Sequence, residues 1–231
     1  NTVSSLKDRN LNSSYACAYY PWVKVLDDAS NLPLWMPPSV VALGTMASSQ
    51  EASEVWFAPA GFNRGGLSAG SAGLSVLDVR EKLSSKERDK LYESNINPIA
   101  SFPNEGVVIF GQMTLQVTQS ALDRINVRRL LIFLKKELTN RSEFAVFENN
   151  SERLWNQLRT ALGNFLRTYW SQGGLRGATP AQAFYVKCDA ENNTNADISN
   201  GRVNIEIGVA LEYPAEFIVI NIGQITGSAT A

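Results

Sequence analysis

The chain has 231 residues, 44% of them hydrophobic, and a formal net charge of −1. This composition is typical of a soluble globular protein with a substantial core, and it argues against contact with nucleic acid. No apolar run approaches the roughly 18 residues that a membrane helix requires, so we expect no membrane insertion. The lack of any histidine removes the commonest general base and metal ligand, which disfavours an enzyme.

The start of the chain and its cysteines bear on its origin. There is no initiator methionine, and the first ten residues lack the basic start and apolar stretch of a signal peptide. We therefore expect a processed product or a fragment of a longer protein. Cys17 and Cys188 lie far apart in the sequence, which favours two buried free thiols from a reducing, cytoplasmic environment.

Aromatic and β-branched residues dominate residues 13–25, and Pro21 interrupts them. This pattern predicts an edge strand or two short strands. The prolines at positions 37 and 38 then precede a predicted helix, with Ser39 as its cap and an end near Gln50.

Residues 54–95 are dense in Gly, Ala and Ser, which predicts a loop-rich stretch with one short charged helix capped by Ser85. Two strands follow, at residues 98–102 and 106–111, and a Pro-Asn-Glu-Gly turn joins them.

Two long helices occupy the centre of the chain. In the first, Asp123 is the predicted N-cap, and Ile125 and Ile132 alternate with pairs of basic residues. The second is predicted to follow Ser151 and to stop at two glycines, with an apolar stripe that belongs to the core. The stripe consists of Leu154, Leu158, Ala161, Leu162, Phe165, Leu166 and Tyr169. Between the two helices, residues 142–150 predict a strand.

The last part of the chain predicts a capped helical turn at Thr179 and Pro180, followed by strands at residues 183–189, 201–213 and 215–224. The complete pattern predicts an α+β or α/β domain, and we expect an α+β fold in which an α/β-like mixed sheet packs with the two long helices. We expect a flexible segment at 1–12, a core domain at 13–53 and 96–224, a loop-rich peripheral insertion at 54–95, and a flexible tail at 225–231.

The sequence contains the residue pattern of one catalytic motif. Residues 66–70 read G-x-S-x-G around Ser68, as in the nucleophile elbow of α/β-hydrolases. An elbow needs a strand before it, a helix after it and a histidine as base, and the sequence offers none of these. The motif is therefore interpreted as a loop of small residues, with a serine hydrolase as the remote alternative.

The acidic residues Asp189, Glu191 and Asp197 offer oxygen ligands for Ca²⁺. Their spacing does not match an EF-hand loop, so a solvated connection between two strands is favoured over a calcium-binding module. No phosphate-binding glycine loop or C-x-x-C motif occurs. The sequence therefore predicts no cofactor, no metal site and no catalytic residue.

Longer segments carry a family resemblance. They are SSYACAYYPWVKV, INPIASFPNEGVVIFGQMTL, DRINVRRLLIFLKKEL, FLRTYWSQGGLRGATPAQAFYVKCD and NGRVNIEIGVALEYPAEFIVINIGQ. In this order they resemble the C-terminal part of contractile phage tail sheath proteins. The resemblance covers residues 13–226, and it implies a tail-sheath core domain with an irregular peripheral subdomain.

The resemblance implies a structural subunit of the virion, assembled in the host cytoplasm. Such subunits stack as hexameric rings around a tail tube, and contraction drives the tube through the host envelope for genome delivery. The implied partners are copies of the chain itself, the tail tube protein, and the baseplate and tail terminator proteins. A sheath subunit of an R-type bacteriocin or of a type VI-like secretion system is the near alternative.

Two sets of residues are candidates for contacts in such an assembly. Residues 121–176 hold 10 basic against 5 acidic residues, and the basic side chains on the long helices could contact the tube or a neighbouring subunit. They are Arg124, Arg128, Arg129, Lys135, Lys136, Arg153, Arg159 and Arg167; solvation of the helix faces is the alternative.

Sheath subunits also exchange strands through arms at their chain ends, which requires an exposed strand with a flexible lead. The strand-exchange candidates are Tyr19, Val23, Phe217, Val219 and Asn221.

Overall fold

Residues 11–27, 30–67 and 74–213 are described by the computed structural model, and they form a mixed α+β fold. The strands are β1 (Ala18–Tyr20), β2 (Val23–Asp27), β3 (Leu32–Met36), β4 (Val76–Val79), β5 (Ile96–Phe102), β6 (Gly106–Ile109), β7 (Phe184–Lys187) and β8 (Glu206–Val209). The α-helices are α1 (Pro38–Ala52), α2 (Gly61–Arg64), α3 (Ser85–Tyr92), α4 (Ile125–Ser142), α5 (Glu152–Ser171), α6 (Pro180–Ala183) and α7 (Asn195–Ser199). Short 3₁₀ helices occupy Ala121–Asp123 and Glu143–Ala145.

The predicted α+β class with two long helices is confirmed, but the strands are divided among small sheets instead of joining one. Within the described residues the strand orders are β1-β5-β6, β3-β2-β4 and β7-β8. Strand β1 runs parallel to β5, and the other pairs are antiparallel. Pro21, which has no N–H to donate, follows β1 directly, so the chain leaves this sheet and β2 joins another.

The first hydrophobic cluster joins the first two sheets to α1. It contains Val23 and Val41, each fully buried, and Ile99, which is also at 0% exposure. Leu67 and Val79, from the stretch for which a peripheral insertion is predicted, are buried in the same cluster. The division of the chain into core and insertion stays a prediction.

The second cluster joins α4 and α5 to one face of the β7-β8 sheet. The apolar stripe of α5 is buried as predicted, with Leu158, Leu162 and Leu166 at 1% exposure or less. Burying a leucine side chain stabilises a fold by roughly 2 kcal/mol relative to exposure. The stripe therefore fixes how α5 sits in the core. The matching prediction for α4 is wrong at Ile132, which is 49% exposed, whereas Leu130 and Leu134 face the core.

Two side chains of α4 hold the chain segment that contains α1 and Trp56. Trp56 belongs to the second cluster although it precedes α2, and Asn126 on α4 donates a hydrogen bond of 2.9 Å from Nδ2 to the carbonyl oxygen of Trp56. Arg129, also on α4, donates to the carbonyl oxygen of Met46 on α1 at 2.9 Å. These contacts hold the two parts of the chain together.

Several helix starts differ from prediction by one or two residues. Helix α3 is capped by Ser84, not Ser85, and Glu87 completes a capping box. Helix α1 follows Pro37 instead of Ser39, and α4 follows Arg124 instead of Asp123, which lies in the preceding 3₁₀ helix. The predicted starts of α5 after Ser151 and of α6 after Thr179 are confirmed.

Two element predictions are wrong in kind. Residues 142–150 form the end of α4, a 3₁₀ turn and an irregular loop, not a strand. The connection predicted between β7 and β8 contains helix α7, which Thr194 and Asp197 cap reciprocally. No helix in the described ranges is long and apolar enough to cross a membrane.

Candidate interaction surfaces

The basic residues at the start of α4 make contacts inside the chain. Arg128 donates to the hydroxyl of Ser14, and its guanidinium lies 4.1 Å from the ring centroid of Tyr15. Arg124 forms an ion pair of 2.9 Å with Asp123. These contacts fasten the segment before β1 onto α4 and fix the start of that helix.

Arg129 is also engaged internally. Besides its bond to Met46, its Nη2 donates to Gln50 Oε1 at 3.0 Å. Burial lowers the pKa of this guanidinium, and the neighbouring Tyr19 acts in the opposite direction. The Arg129 side chain therefore anchors α1 to α4, and fewer of its N–H donors are available to bind a partner protein.

The remaining basic candidates are more accessible. Lys135, Lys136, Arg153 and Arg167 are exposed on α4 and α5. Arg159 is half-buried and donates to the side-chain oxygen of Asn156. Among the predicted contact residues on the helices, the four exposed ones are the best placed to meet another molecule.

The predicted strand-exchange residues near the start of the chain differ from each other. Tyr19 lies in β1, an edge strand, and burial raises the pKa of its hydroxyl well above the ordinary value. Val23 lies in the central strand β2, where it pairs with Met36 of β3 and with Val79 of β4. Strand exchange at Val23 would therefore require β3 or β4 to leave. Phe217, Val219 and Asn221 lie outside the described residues.

The β7-β8 sheet has one covered face and one outward face. Phe184 and Val209, a cross-strand pair, pack partly buried against the second cluster. On the other face Tyr185 is 51% exposed, and its hydroxyl donates to Glu206 Oε1 at 2.7 Å. This hydrogen bond raises the pKa of Tyr185. The Tyr185 ring crosses Gly208 so closely that a Cβ there would lie 2.1 Å from it.

Within the described residues each strand of this sheet pairs with the other alone, apart from an isolated bridge between Leu175 and Leu211 just after β8. A two-stranded sheet is marginally stable by itself and gains from further strands. The sequence predicted strands at both places, but it gave no signal that they would form a separate two-stranded sheet, because strand pairing is a long-range property.

The acidic loop is used internally. Asp189 Oδ1 accepts a hydrogen bond from the backbone N–H of Glu191, Glu191 pairs with Lys187, and Asp197 caps α7 and pairs with Arg202. Across the described ranges no group of three His, Cys, Asp or Glu residues could hold a metal ion. Asn193, which the sequence did not single out, is the buried centre of this loop, since its Oδ1 accepts from the N–H of Asn204 at 2.6 Å.

The two cysteines are free thiols, but Cys17 is exposed instead of buried as predicted. Cys188 is buried beside a cavity of about 290 Å³ that Trp155, Arg159 and Asp189 help to line. Burial raises the pKa of the Cys188 thiol, so little thiolate forms and the residue is a poor nucleophile. Ser68 lies outside the described residues.

Comparison with known proteins gives the class of the chain. Residues 117–225 match the phage tail sheath C-terminal domain. The chain is homologous to contractile tail sheath proteins, a family of structural proteins that are not enzymes, and the resemblance in the sequence is confirmed.

Particular relatives belong to phages and to injection particles. The tail sheath protein of Vibrio phage KVP40 is 31% identical over 212 residues, which are 92% of this chain and 30% of that protein. A contracted PVC sheath complex of an extracellular contractile injection system aligns at a TM-score of 0.83 and 29% identity, over 97% of this chain and 60% of the other. The contracted helical sheath of the anti-feeding prophage (AFP) aligns at a TM-score of 0.78 and 31% identity, over 92% of this chain and 57% of the other. The chain thus spans about a third of the phage relative.

Proposed function

We propose that the chain is part of a structural subunit of a contractile bacteriophage tail sheath. The subunit polymerises with copies of itself as stacked hexameric rings around a tail tube, and contraction of the sheath drives the tube through the host envelope to deliver the genome. The observation that carries this proposal is the 31% identity with the tail sheath protein of a Vibrio phage over 92% of the chain, together with the match of residues 117–225 to the phage tail sheath C-terminal domain. The sheath would be assembled in the host cytoplasm and would reside in the virion.

The exposed charges support contacts with other proteins. Lys135 and Lys136 on α4, and Arg153 and Arg167 on α5, present cations on helices whose opposite sides are buried. Residues 177–231 hold 2 basic against 6 acidic residues, so the acidic end of one copy complements the basic helices of another. The tail tube is the second partner proposed for these helices, which would suit an acidic tube surface, and baseplate and tail terminator proteins would meet the ends of the sheath.

The β7-β8 sheet supports strand exchange between copies. Its two edges accept added strands through backbone hydrogen bonds. Phe217, Val219 and Asn221 alternate along a β-prone stretch, so this stretch of one copy is the proposed strand for the sheet of another. Tyr19 in edge strand β1 is the second proposed position.

A second candidate is the sheath of an injection particle, such as an R-type bacteriocin or a secretion system of the type VI kind. The similarity to the PVC and AFP sheaths, at TM-scores of 0.83 and 0.78, favours it as much as the phage relative favours a virion. The two candidates share the same assembly and differ in whether a genome passes through the tube.

Negative-stain electron microscopy tests the proposal. The gene product that contains these residues should be expressed with and without the tube protein of its own gene cluster, and pelleted material examined. We expect hollow, transversely striated tubes. Complete particles isolated from the source then separate the two candidates, because a phage tail carries a DNA-filled capsid and an injection particle does not. If the chain remains in small particles with the tube present, the proposal fails.

A further inference from the structure

The turn between α4 and α5 exposes apolar side chains that no other described residue covers. We call residues 143–152 the hairpin tip. In it Phe144 is 47% exposed, Val146 61% and Phe147 103%. Phe147 has a φ of +69°, which is rare for a bulky residue, and backbone bonds from Val146 to Glu143 and from Glu148 to Ala145 hold the turn. A strained residue that holds an aromatic ring in water is typical of a contact site.

The hairpin tip is also acidic, although the helices around it are basic. Glu143, Glu148 and Glu152 are its charged residues, and it contains no lysine or arginine. Within the part of the chain that the structure describes, none of these carboxylates forms an ion pair. The hairpin tip is therefore an exposed aromatic surface surrounded by negatively charged side chains.

A surface of complementary chemistry lies elsewhere on the chain. Phe62 on α2, Phe102 at the end of β5 and Phe110 after β6 form what we call the aromatic platform, with ring centroids 5.0 to 5.5 Å apart. Phe62 is 50% exposed and Phe110 39%. The platform thus offers aromatic faces and edges to an incoming ring.

One arginine contacts a ring of the platform, and a second arginine contacts a phenylalanine outside it. The guanidinium of Arg88 lies 5.0 Å from the ring centroid of Phe102, and that of Arg64 lies 4.1 Å from the ring of Phe57, near α2. Arg88 donates to the carbonyl oxygen of Leu83 and to Ser85 Oγ, not to a carboxylate. Arg88 can therefore still gain an acidic partner.

We propose that the hairpin tip of one copy of this chain docks on the aromatic platform of a second copy. This inference rests on the proposed function, since it names a contact within the assembly. Phe147 would stack on the platform while Glu148 approaches Arg88. Two hairpin tips would bind each other less favourably than a tip binds the platform, because their carboxylates would repel each other. The tip and the platform are different surfaces, so the contact is heterologous and repeats from copy to copy, as rings and helices require.

Photo-crosslinking tests the contact directly. Phe147 is replaced by p-benzoylphenylalanine in the assembled full-length product, and isotopically heavy and light copies are mixed. We expect mixed-isotope crosslinks to peptides that contain Phe62, Phe102 or Phe110. The same probe at Val117, which is 74% exposed and on neither surface, should not reach these peptides. Crosslinks from position 147 to other peptides between copies would overturn the proposal.

A charge exchange provides the second test. Glu148→Arg and Arg88→Glu should each weaken self-association by about 10-fold or more, and the double variant should recover most of the loss. Melting temperatures of the variants identify any that fail to fold. If the wild-type product does not self-associate, the proposed function fails as well. If it assembles but the double variant shows no recovery, only this contact is refuted.

Discussion

The ring of Trp56 lies directly against the backbone of Gly174, just beyond the end of α5. A Cβ at position 174 would stand 2.9 Å from Cε3 of that ring. Trp56 also packs edge-to-face on Tyr169, with ring centroids 5.6 Å apart. The ring is thus fixed between the end of α5 and the helices beside it, where it joins the first half of the chain to the second.

Gly174→Ala should therefore destabilise the fold by about 1–3 kcal/mol, because the methyl group overpacks against a ring that has no room to move. Urea denaturation followed by tryptophan fluorescence measures the free energy of unfolding. Gly163→Ala is the matched control, since nothing lies within 4 Å of its Cβ position on α5. That change should stabilise the helix by roughly 0.5–1 kcal/mol. Equal effects of the two changes would mean that Trp56 is not held as described.

Asn97 in β5 is fully buried and joins three segments. Its Nδ2 donates to the carbonyl oxygens of Ala18 at 3.0 Å and Met113 at 2.8 Å, and its Oδ1 accepts from the N–H of Met113 at 2.6 Å. Asn97→Ala leaves these backbone groups without partners, so it should cost roughly 2–4 kcal/mol of unfolding free energy.

The control for this change is Asn164→Ala on the exposed side of α5, which should change stability by less than about 0.5 kcal/mol. A loss at Asn97 as small as that of the control would show that water replaces the lost hydrogen bonds.

The capping box of α3 should make its stability depend on pH. Glu87 Oε2 accepts from the N–H of Ser84 at 2.8 Å and from its hydroxyl at 2.7 Å, and these bonds lower the pKa of Glu87 from its ordinary 4.5. A lowered pKa means that the carboxylate stabilises the fold fully above the ordinary value, and that this contribution disappears as the pH falls through the lowered one.

Glu87→Ala should therefore lower the melting temperature at pH 7, and the difference from wild type should shrink as the pH falls below 4.5. Melting curves by circular dichroism at several pH values measure this. A difference that stays constant down to the lowest pH would contradict the capping role of the carboxylate.

The basic residues on the helices should separate into two classes. Arg129 holds Met46 and Gln50, so Arg129→Glu should destabilise the fold by about 2 kcal/mol or more. Lys135→Glu with Lys136→Glu changes exposed side chains, so stability should stay within about 0.5 kcal/mol while assembly decreases. Pelleting of the assembled product and urea denaturation together distinguish the classes. If the lysine variant pellets as much as the wild type, Lys135 and Lys136 do not contribute to the assembly contacts.

The sequence predicted the local features of the fold well. The stripe of α5 follows from side chains three and four positions apart, and Ser151 and Thr179 occupy the N-cap positions of α5 and α6, as their residue types predict. Such features depend on short-range geometry, which the sequence contains directly. The class of fold followed from them.

Features that depend on distant contacts were not predictable in this way. Asp123 suits an N-cap by composition, but Thr114 donates to its carbonyl oxygen and Ile125 donates to Gln112, so a β-bridge precedes α4. Residues 142–150 have β-prone side chains, but in the described structure no strand lies beside them to supply a ladder. The platform likewise brings together residues from three separate segments, and only the fold reveals it.

Helical reconstruction from cryo-electron microscopy of the assembled gene product tests the central claim most directly. The proposal predicts stacked six-membered rings in which each subunit has the present fold, and in which strands from neighbouring copies extend the β7-β8 sheet. Density for a strand containing Phe217, Val219 and Asn221 beside β7 or β8 of another copy would match the prediction. Particles that are not helical, or a β7-β8 sheet that remains two-stranded in the tube, would contradict it.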